Sequence, residues 1–386
     1  MADDWEAGGF GLYVHWPFCQ AKCPYCDFNS HVAAEIDQRR WLSAYLSEIK
    51  RVSAETGGRR LISVFFGGGT PSLMAPETVA GVLDAVRAAW PVANDLEVTL
   101  EANPTSVEAG RFRGFRDAGV NRVSVGLQAL NDADLKRLGR LHSAAEGRNA
   151  YGIARDVFPR VSFDLIYARQ FQTLDHWRSE LAEALTLAAD HLSLYQLTIE
   201  PGTAFGDRHA RGRLPGLVED DAGAEMYDLT QEMCAAAGLP AYEVSNHAAD
   251  MAQSRHNLIY WRGGDYAGIG PGAHGRLTLD GTRHATETEL LPLAWLKRVE
   301  TAGSGETLRE PMTARDHAEE YAMMALRLAE GLDRTRFARL NGADFDADVL
   351  NRLESLGMIE VTATRISATP QGRRVLNAVL RDLLAD

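Results

Sequence analysis

Along the first two thirds of the chain the apolar positions switch repeatedly between unbroken runs and a three-to-four-residue spacing. Residues 10–15 predict a strand. Residues 34–56 predict a helix with Trp41, Tyr45, Ile49 and Val52 on one face. Residues 61–66 form a continuous apolar run ending in three glycines, the pattern of a parallel strand covered on both sides. A helix follows at 76–90, with Val79, Leu83, Val86 and Trp90 aligned. Strand patterns return at 96–101, 122–127, 161–166 and 191–197, and Trp177, Leu181, Leu185 and Ala188 mark an amphipathic helix between the last two. Six strand-then-helix units in series predict an α/β protein with a parallel sheet, open or rolled into a barrel. Glycines and polar residues cluster just after the strands, the edge where α/β barrels carry their chemistry.

From about Arg283 helical spacing dominates, which divides the chain into 1–282 and 283–386. A helix at 317–328 is closed by Gly331. Then come a helix at 349–356, Gly357, a β-like stretch at 358–367, the turn Thr369-Pro370, and a last helix to Leu384. This order resembles a winged-helix module. From Pro311 onward there are ten Arg and no Lys against twelve Asp and Glu, a net of −2, so the module lacks the basic footprint of a DNA reader. Packing or protein contact is the expected role. No internal repeat or long flexible linker is visible.

The whole chain has 386 residues, 45% apolar and 24% charged, the composition of an ordinary globular protein. Lys and Arg number 40 against 53 Asp and Glu, a net of −13, which disfavours nucleic acid as the main partner and leaves room for a local basic pocket. The first residues, MADDWEAGGF, show neither the basic nor the apolar segment of a secretory signal. No run reaches the roughly 20 apolar residues of a membrane span. The expected location is the cytoplasm, with peripheral membrane contact left open.

Three of four cysteines, Cys19, Cys23 and Cys26, fall at C-x3-C-x2-C on a proline-containing loop after the first strand, and Cys234 lies far away in an Ala-rich helix. Cys234 reads as a small buried hydrophobe. An iron–sulfur cluster usually takes four thiolates, so three suggest a cluster whose last iron is completed from outside. A structural zinc with His15 as fourth ligand is the competing reading, and three unrelated cysteines the bland one.

The spacing resembles the radical SAM superfamily. There three thiolates hold a [4Fe–4S] cluster, the amine and carboxylate of S-adenosylmethionine (SAM) chelate the fourth iron, and electron transfer cleaves the sulfonium to a 5′-deoxyadenosyl radical. Gly67-Gly68-Gly69-Thr70-Pro71 resembles the element that binds the SAM amine, in the form found with oxygen-independent coproporphyrinogen III oxidase and its relatives. Glu101-Ala-Asn-Pro104, Asn121 to Gln128, Leu138-Gly-Arg140-Leu-His142 and Ser162-Phe-Asp164 follow in that branch's order. The resemblance implies a partial (β/α)6 barrel in which Tyr13, Tyr25, Gly68, Gly69, Thr70, Glu101, Gln128, Arg140 and Asp164 surround SAM. It covers the chain from about Gly9 to the C-terminus. One departure stands out: where the branch usually has a Gly-Leu-Pro-Gly-like turn, this chain has Ala168-Arg169-Gln170-Phe171.

Within the branch, the oxidases carry a fourth cysteine two residues after the third. Here that position is Phe28, and 18 residues precede Cys19, without the oxidase's extension. Both features resemble the HemW family of heme chaperones, as does His256-Asn257-Leu-Ile-Tyr260-Trp261. The resemblance implies heme binding, with His256, Asn257, Tyr260 and Trp261 as candidate contacts and His274 as runner-up iron ligand. Implied partners are heme, recipient hemoproteins such as membrane-bound respiratory enzymes, and a second copy of the chain. Coproporphyrinogen oxidase activity is not expected, and no catalytic residue is assigned. A radical SAM oxidase or methyltransferase and a non-catalytic zinc scaffold stand as alternatives.

Overall fold

A computed structural model describes residues 4–33, 35–105 and 110–385. The strands of its large sheet are, in chain order, β1 (Phe10–Trp16), β2 (Leu61–Gly68), β3 (Val92–Ala102), β4 (Arg122–Gln128), β5 (Arg160–Tyr167), β6 (His191–Gln196), β7 (Asn246–Ala248), β8 (Asp265–Ile269), β9 (His274–Leu279), β10 (Thr282–Thr288) and β11 (Glu306–Pro311). Their spatial order is β11-β10-β9-β8-β1-β2-β3-β4-β5-β6-β7. Strands β8 and β1 to β6 run parallel, and the flanking strands are antiparallel. The six βα units of the sequence pattern thus form the parallel centre. Its strands are largely apolar because helices or the barrel interior cover both faces, and polar groups such as Glu101, Gln128 and Asp164 enter towards their carboxyl ends.

Helix α1 (Gln38–Glu55) buries Trp41, Tyr45, Ile49 and Val52, the face expected from spacing. It starts at Gln38 because Asp37 caps it, its side chain accepting from the Arg40 amide. The expected start at Ala34 lies outside the described residues. Trp41 stacks flat on Trp295 at 5.4 Å between centroids, which ties α1 to α8 (Pro292–Ala302). Helix α2 (Pro76–Ala89) buries Val79, Leu83 and Val86, and α3 (Ala144–Val157), α4 (Leu174–Leu187) and α5 (Ala204–Ala210) follow. Cys234 is fully buried in α6 (Asp220–Ala236), and burial pushes its thiol up to about 12.

The division expected at 283 is corrected by the sheet. Strand β10 runs straight across that position, and β11 adds another strand beyond it. The reason is a buried charge cluster that apolar spacing cannot reveal. Arg283 of β10 reaches Asp265 of β8 at 2.8 Å, and Arg59 reaches the same carboxylate at 2.6 Å. A separate hydrophobic cluster begins at Ala318 and extends to Leu383. It packs α9 (Ala314–Ala325), later helices and a three-stranded sheet built from Leu332–Asp333, Arg365–Ala368 and Ile359–Val361. Helix α9 begins three residues before the expected start, at a capping box between Thr313 and Asp316.

Helix α7 (Arg255–Trp261) starts at the cap Ser254 and packs against β1 and β2. Its His256 is 2% exposed. Its Nδ1 lies 2.6 Å from Ser63 Oγ and its Nε2 2.7 Å from the Tyr260 hydroxyl. The ring also stacks on Phe65 at 5.0 Å. Burial, reinforced by the Arg122 charge, pushes His256 down to about 3, and burial holds His247 and His317 near 4. As pH falls below the ordinary histidine value of 6.5, the unfolded chain therefore takes up protons before the folded one. The stability these groups contribute is complete above that value and is lost progressively as pH falls from there towards the folded values of about 3 and 4. Denaturant midpoints at about pH 7.5 and about pH 5 should fall in that order, and His256→Gln should reduce the proton uptake on unfolding by up to about one. An uptake unchanged by His256→Gln would contradict a neutral buried imidazole.

Candidate metal centre and adjoining cavity

The cysteine loop leaves β1 at Trp16 and returns through a short parallel ladder, Phe18–Cys19 against His31–Val32. The Cys26 amide donates to the Cys23 carbonyl at 3.1 Å, a turn that brings the second and third thiols to one side. All three are free and half-buried. They face a cavity of about 140 Å³ that Tyr25, Gly68, Gly69, Thr70, Glu101, Gln128, Arg140 and Asp164 also line. The elements supplying these groups are distant in sequence and meet at the carboxyl ends of β2 to β5.

The glycine turn seats the loop. The Gly69 amide donates to the Trp16 carbonyl at 2.7 Å and the Thr70 amide to the Phe18 carbonyl at 2.8 Å. A Cβ on Gly69 would stand 2.8 Å from the Phe18 carbonyl oxygen, closer than real Cβ atoms come to backbone. Gly68 has φ +110°, and a Cβ there would enter the His15 ring.

A chain of polar side chains then runs between the thiols. Thr70 Oγ1 donates to Cys19 Sγ at 3.3 Å, and Asn103 Nδ2 donates to Thr70 Oγ1 at 2.9 Å. Arg140 donates through Nη2 to Asn103 Oδ1 at 2.6 Å and through Nη1 to Cys23 Sγ at 3.4 Å. Arg140 Nε is buried with no partner. Asn103 is the residue that sequence reasoning missed. It sits inside the Glu101-Ala-Asn-Pro104 motif, but nothing in one sequence distinguishes a hub from a strand-end polar residue.

Across the cavity lie two half-buried carboxyl groups. Glu101 is pushed up to about 8, first by burial and then by Asp164, although the Gly68 amide opposes this. Asp164 is also raised by burial, while Ser124 donates to it at 3.0 Å. That serine is linked through Ser162 to the guanidinium of the buried Arg122. A cation placed beside the pair would favour its ionised form and be held by it. Gln128 closes β4 with φ 69°, an uncommon conformation for a side-chain-bearing residue, held beside this pair.

Tyr13 lies elsewhere: its hydroxyl meets His15 Nδ1 at 3.1 Å, and its ring lines a second cavity of about 570 Å³. The two cavities share Phe28, Gly68 and Glu101. The larger also receives Tyr260, Trp261, His274 and Met324. Of the four heme candidates, only Tyr260 and Trp261 therefore reach it. His256 lies behind Tyr260, and Asn257 donates to the Tyr242 hydroxyl at 3.4 Å. The structure thus offers no free nitrogen on His256, because Ser63 and Tyr260 occupy both.

His15 is similarly occupied, with Nε2 on the Asn29 carbonyl at 2.9 Å and Nδ1 on Tyr13, which removes it as a fourth zinc ligand. The thiols ring a cavity instead of converging on a point, and among the described residues no three His, Cys, Asp or Glu side chains gather at single-ion distance. Three soft donors around an open space, with an orphaned arginine N–H beside them, fit a cube with one iron left for another ligand. The unusual turn after β5 has its own support. Ala168 and Phe171 adopt φ of 54° and 62°, and the buried Arg169 binds Asp134 at 2.7 Å and also Glu180. This ion-pair anchor fixes the turn.

Anaerobic reconstitution should load iron and sulfide on the intact chain. Substituting Ser for any of Cys19, Cys23 or Cys26 should remove most of the broad absorption near roughly 400 nm. Cys234→Ala should leave it unchanged. Retained iron and sulfide in the triple variant would refute the assignment.

The profile of the Radical SAM superfamily matches residues 13–183, and that of the HemN C-terminal domain matches residues 312–375. The heme chaperone HemW of Escherichia coli (strain K12) is 38% identical over 380 residues, covering 97% of this chain and 98% of that protein. Radical S-adenosyl methionine domain-containing protein 1, mitochondrial, of Bos taurus is 39% identical over 388 residues, covering 97% and 87%. Among solved structures, coproporphyrinogen III oxidase (HemN) from Escherichia coli matches with a TM-score of 0.82 at 20% identity, over 98% of this chain and 90% of that one, a likeness of fold. With the HemW relative matched end to end and the thiols, glycine turn and carboxyl pair brought to one mouth, the chain belongs to the HemW family of the radical SAM superfamily.

Proposed function

We propose that this protein is a heme chaperone: it binds heme, releases it to recipient hemoproteins, and carries a [4Fe–4S] cluster and SAM. The observation that carries this reading is the larger cavity, which opens beside the thiol cavity and shares Phe28, Gly68 and Glu101 with it. Cys19, Cys23 and Cys26 would hold the cluster. When bound, the cluster supplies a reducing electron and an open iron site for the amine and carboxylate of SAM.

The chain's own residues account for the rest of the binding. Arg140 offers an unpaired N–H to a carboxylate while its other nitrogens stay anchored on Asn103 and Cys23. Glu101 and Asp164 would accept from the ammonium or the ribose hydroxyls and attract the sulfonium by charge alone. Glu101 is held near 8, so it carries a proton at neutral pH in the empty cavity and gives it up when a cation arrives. Phe28 stands 57% exposed at the junction of the two cavities, where the oxidases have a thiol. An apolar ring there cannot exchange protons or electrons with a substrate, which favours holding a macrocycle over oxidising one.

The recipients we infer are respiratory hemoproteins met at the membrane surface. Among the described residues, no helix is long and apolar enough to cross a membrane. Titrating the anaerobically reconstituted protein with hemin should give a saturable Soret band at one equivalent. The loaded protein should pass heme to an apo-hemoprotein, and coproporphyrinogen III with SAM and a reductant should not turn over. Absence of saturable heme binding, or rapid porphyrinogen turnover, would overturn the chaperone reading in favour of an oxidase.

A further inference from the structure

We infer that the larger cavity takes the iron porphyrin with His274 Nε2 as an axial ligand to the iron, and that Glu287 is the carboxylate that orients this imidazole. The inference rests on the heme-binding reading above and places the cargo within it.

Three histidines come near this cavity, and their hydrogen bonds separate them. His256 has both ring nitrogens engaged, at 2.6 Å and 2.7 Å, and is 2% exposed. His15 also has both engaged, with Tyr13 and with the Asn29 carbonyl. Either would have to surrender a buried hydrogen bond to bind iron, leaving an unpaired hydroxyl or carbonyl behind. His274 lines the cavity, and its side chain is 58% exposed. Its Nδ1 faces Glu287 Oε1 at 3.6 Å, and its Nε2 has no hydrogen bond among the described residues.

That arrangement is what a metal-binding imidazole needs. A carboxylate that closes on one nitrogen favours the proton there and leaves the other nitrogen's lone pair for a metal; here the two side chains stand 3.6 Å apart, one small rotation from a hydrogen bond. The support is rigid. His274 and Glu287 stand directly opposite each other in the β9–β10 ladder. The preceding turn is pinned by Thr288, whose hydroxyl accepts from the Ala273 amide at 2.9 Å and donates to the Gly270 carbonyl at 2.5 Å.

The rest of the cavity suits a macrocycle. At about 570 Å³ it falls within the range of small-molecule and cofactor sites, roughly 300–1,000 Å³. Tyr260 and Tyr266 meet edge to face at 4.3 Å, and Trp261 adds a third ring to the lining. The indole N–H of Trp261 is buried with no partner. Met324 of α9 adds a further apolar side chain to the lining. Binding forms one coordinate bond from the Nε2 lone pair to iron, with no change of oxidation state. A largely exposed histidine also suits delivery, because a recipient's own ligand can approach the iron from solvent and replace it.

The test is hemin titration of the full-length protein, wild type against His274→Gly, Glu287→Gln and His256→Gln, with iron–sulfur content and circular dichroism measured on each. His274→Gly should move the Soret maximum and change the low-spin EPR signature, and added imidazole should restore both. Glu287→Gln should weaken hemin binding by about tenfold, the lower end of what loss of a histidine-orienting carboxylate costs a metal site. His256→Gln should keep the wild-type Soret position and EPR signature. Wild type that binds hemin, with an unchanged spectrum in His274→Gly or a changed one in His256→Gln, would overturn the ligand assignment alone. Wild type that fails to bind hemin would instead remove the chaperone reading on which the assignment stands.

Discussion

Everything at the mouth of the barrel depends on the contact between the Phe18 backbone and Gly69. The thiol loop can face the strand ends only if it lies against the end of β2, and at that point there is no room for a side chain. The contact is reinforced by two short amide–carbonyl bonds, from Gly69 to Trp16 and from Thr70 to Phe18. Once the loop is seated, Thr70 falls within reach of Cys19, Asn103 within reach of Thr70, and Arg140 within reach of both Asn103 and Cys23. The thiols are thus held from outside by a polar chain drawn from the segments after three different strands, instead of by contacts within a loop that has little core of its own.

The charge pattern follows from the same geometry. Arg140 is on the thiol side, and Glu101 and Asp164 are on the far side, where burial raises both. Arg122 and Arg140 lower Asp164 through space, and Arg122 joins its hydrogen-bond chain through Ser162 and Ser124, yet burial still raises both carboxyls. In low dielectric such a pair, once ionised, favours a cation, and the opposite corner favours a carboxylate. This polarity is what a zwitterionic sulfonium would meet. The neighbouring cavity shares one wall with this site through Glu101 and Gly68, so occupancy of one space bears on the shape of the other.

The parallel centre of the fold was legible because its strands are unbroken apolar runs and its helices keep one buried face. Cys19, Cys23 and Cys26 were legible from spacing, and the ring of residues around them from motifs at strand ends. Other features were not. The hairpin β9–β10 and strand β11 escaped because short antiparallel strands with charged residues resemble helical spacing, and the Asp265–Arg283 pair that buries β10 joins positions far apart in sequence. Asn103 and Arg169 act through hydrogen bonds whose partners only the fold supplies. His256 shows the converse: its motif drew attention, but burial behind Tyr260 is a property of packing that spacing does not carry.

If seating on the glycine turn is what presents the thiols, a single methyl group at Gly69 should unseat them. The decisive measurement is iron and sulfide content of Gly69→Ala after anaerobic reconstitution, beside Gly152→Ala, where an added Cβ meets nothing within 4 Å. The account predicts that Gly69→Ala keeps the circular dichroism of the barrel and loses most of its iron, while Gly152→Ala loads fully. Full loading of Gly69→Ala would contradict it.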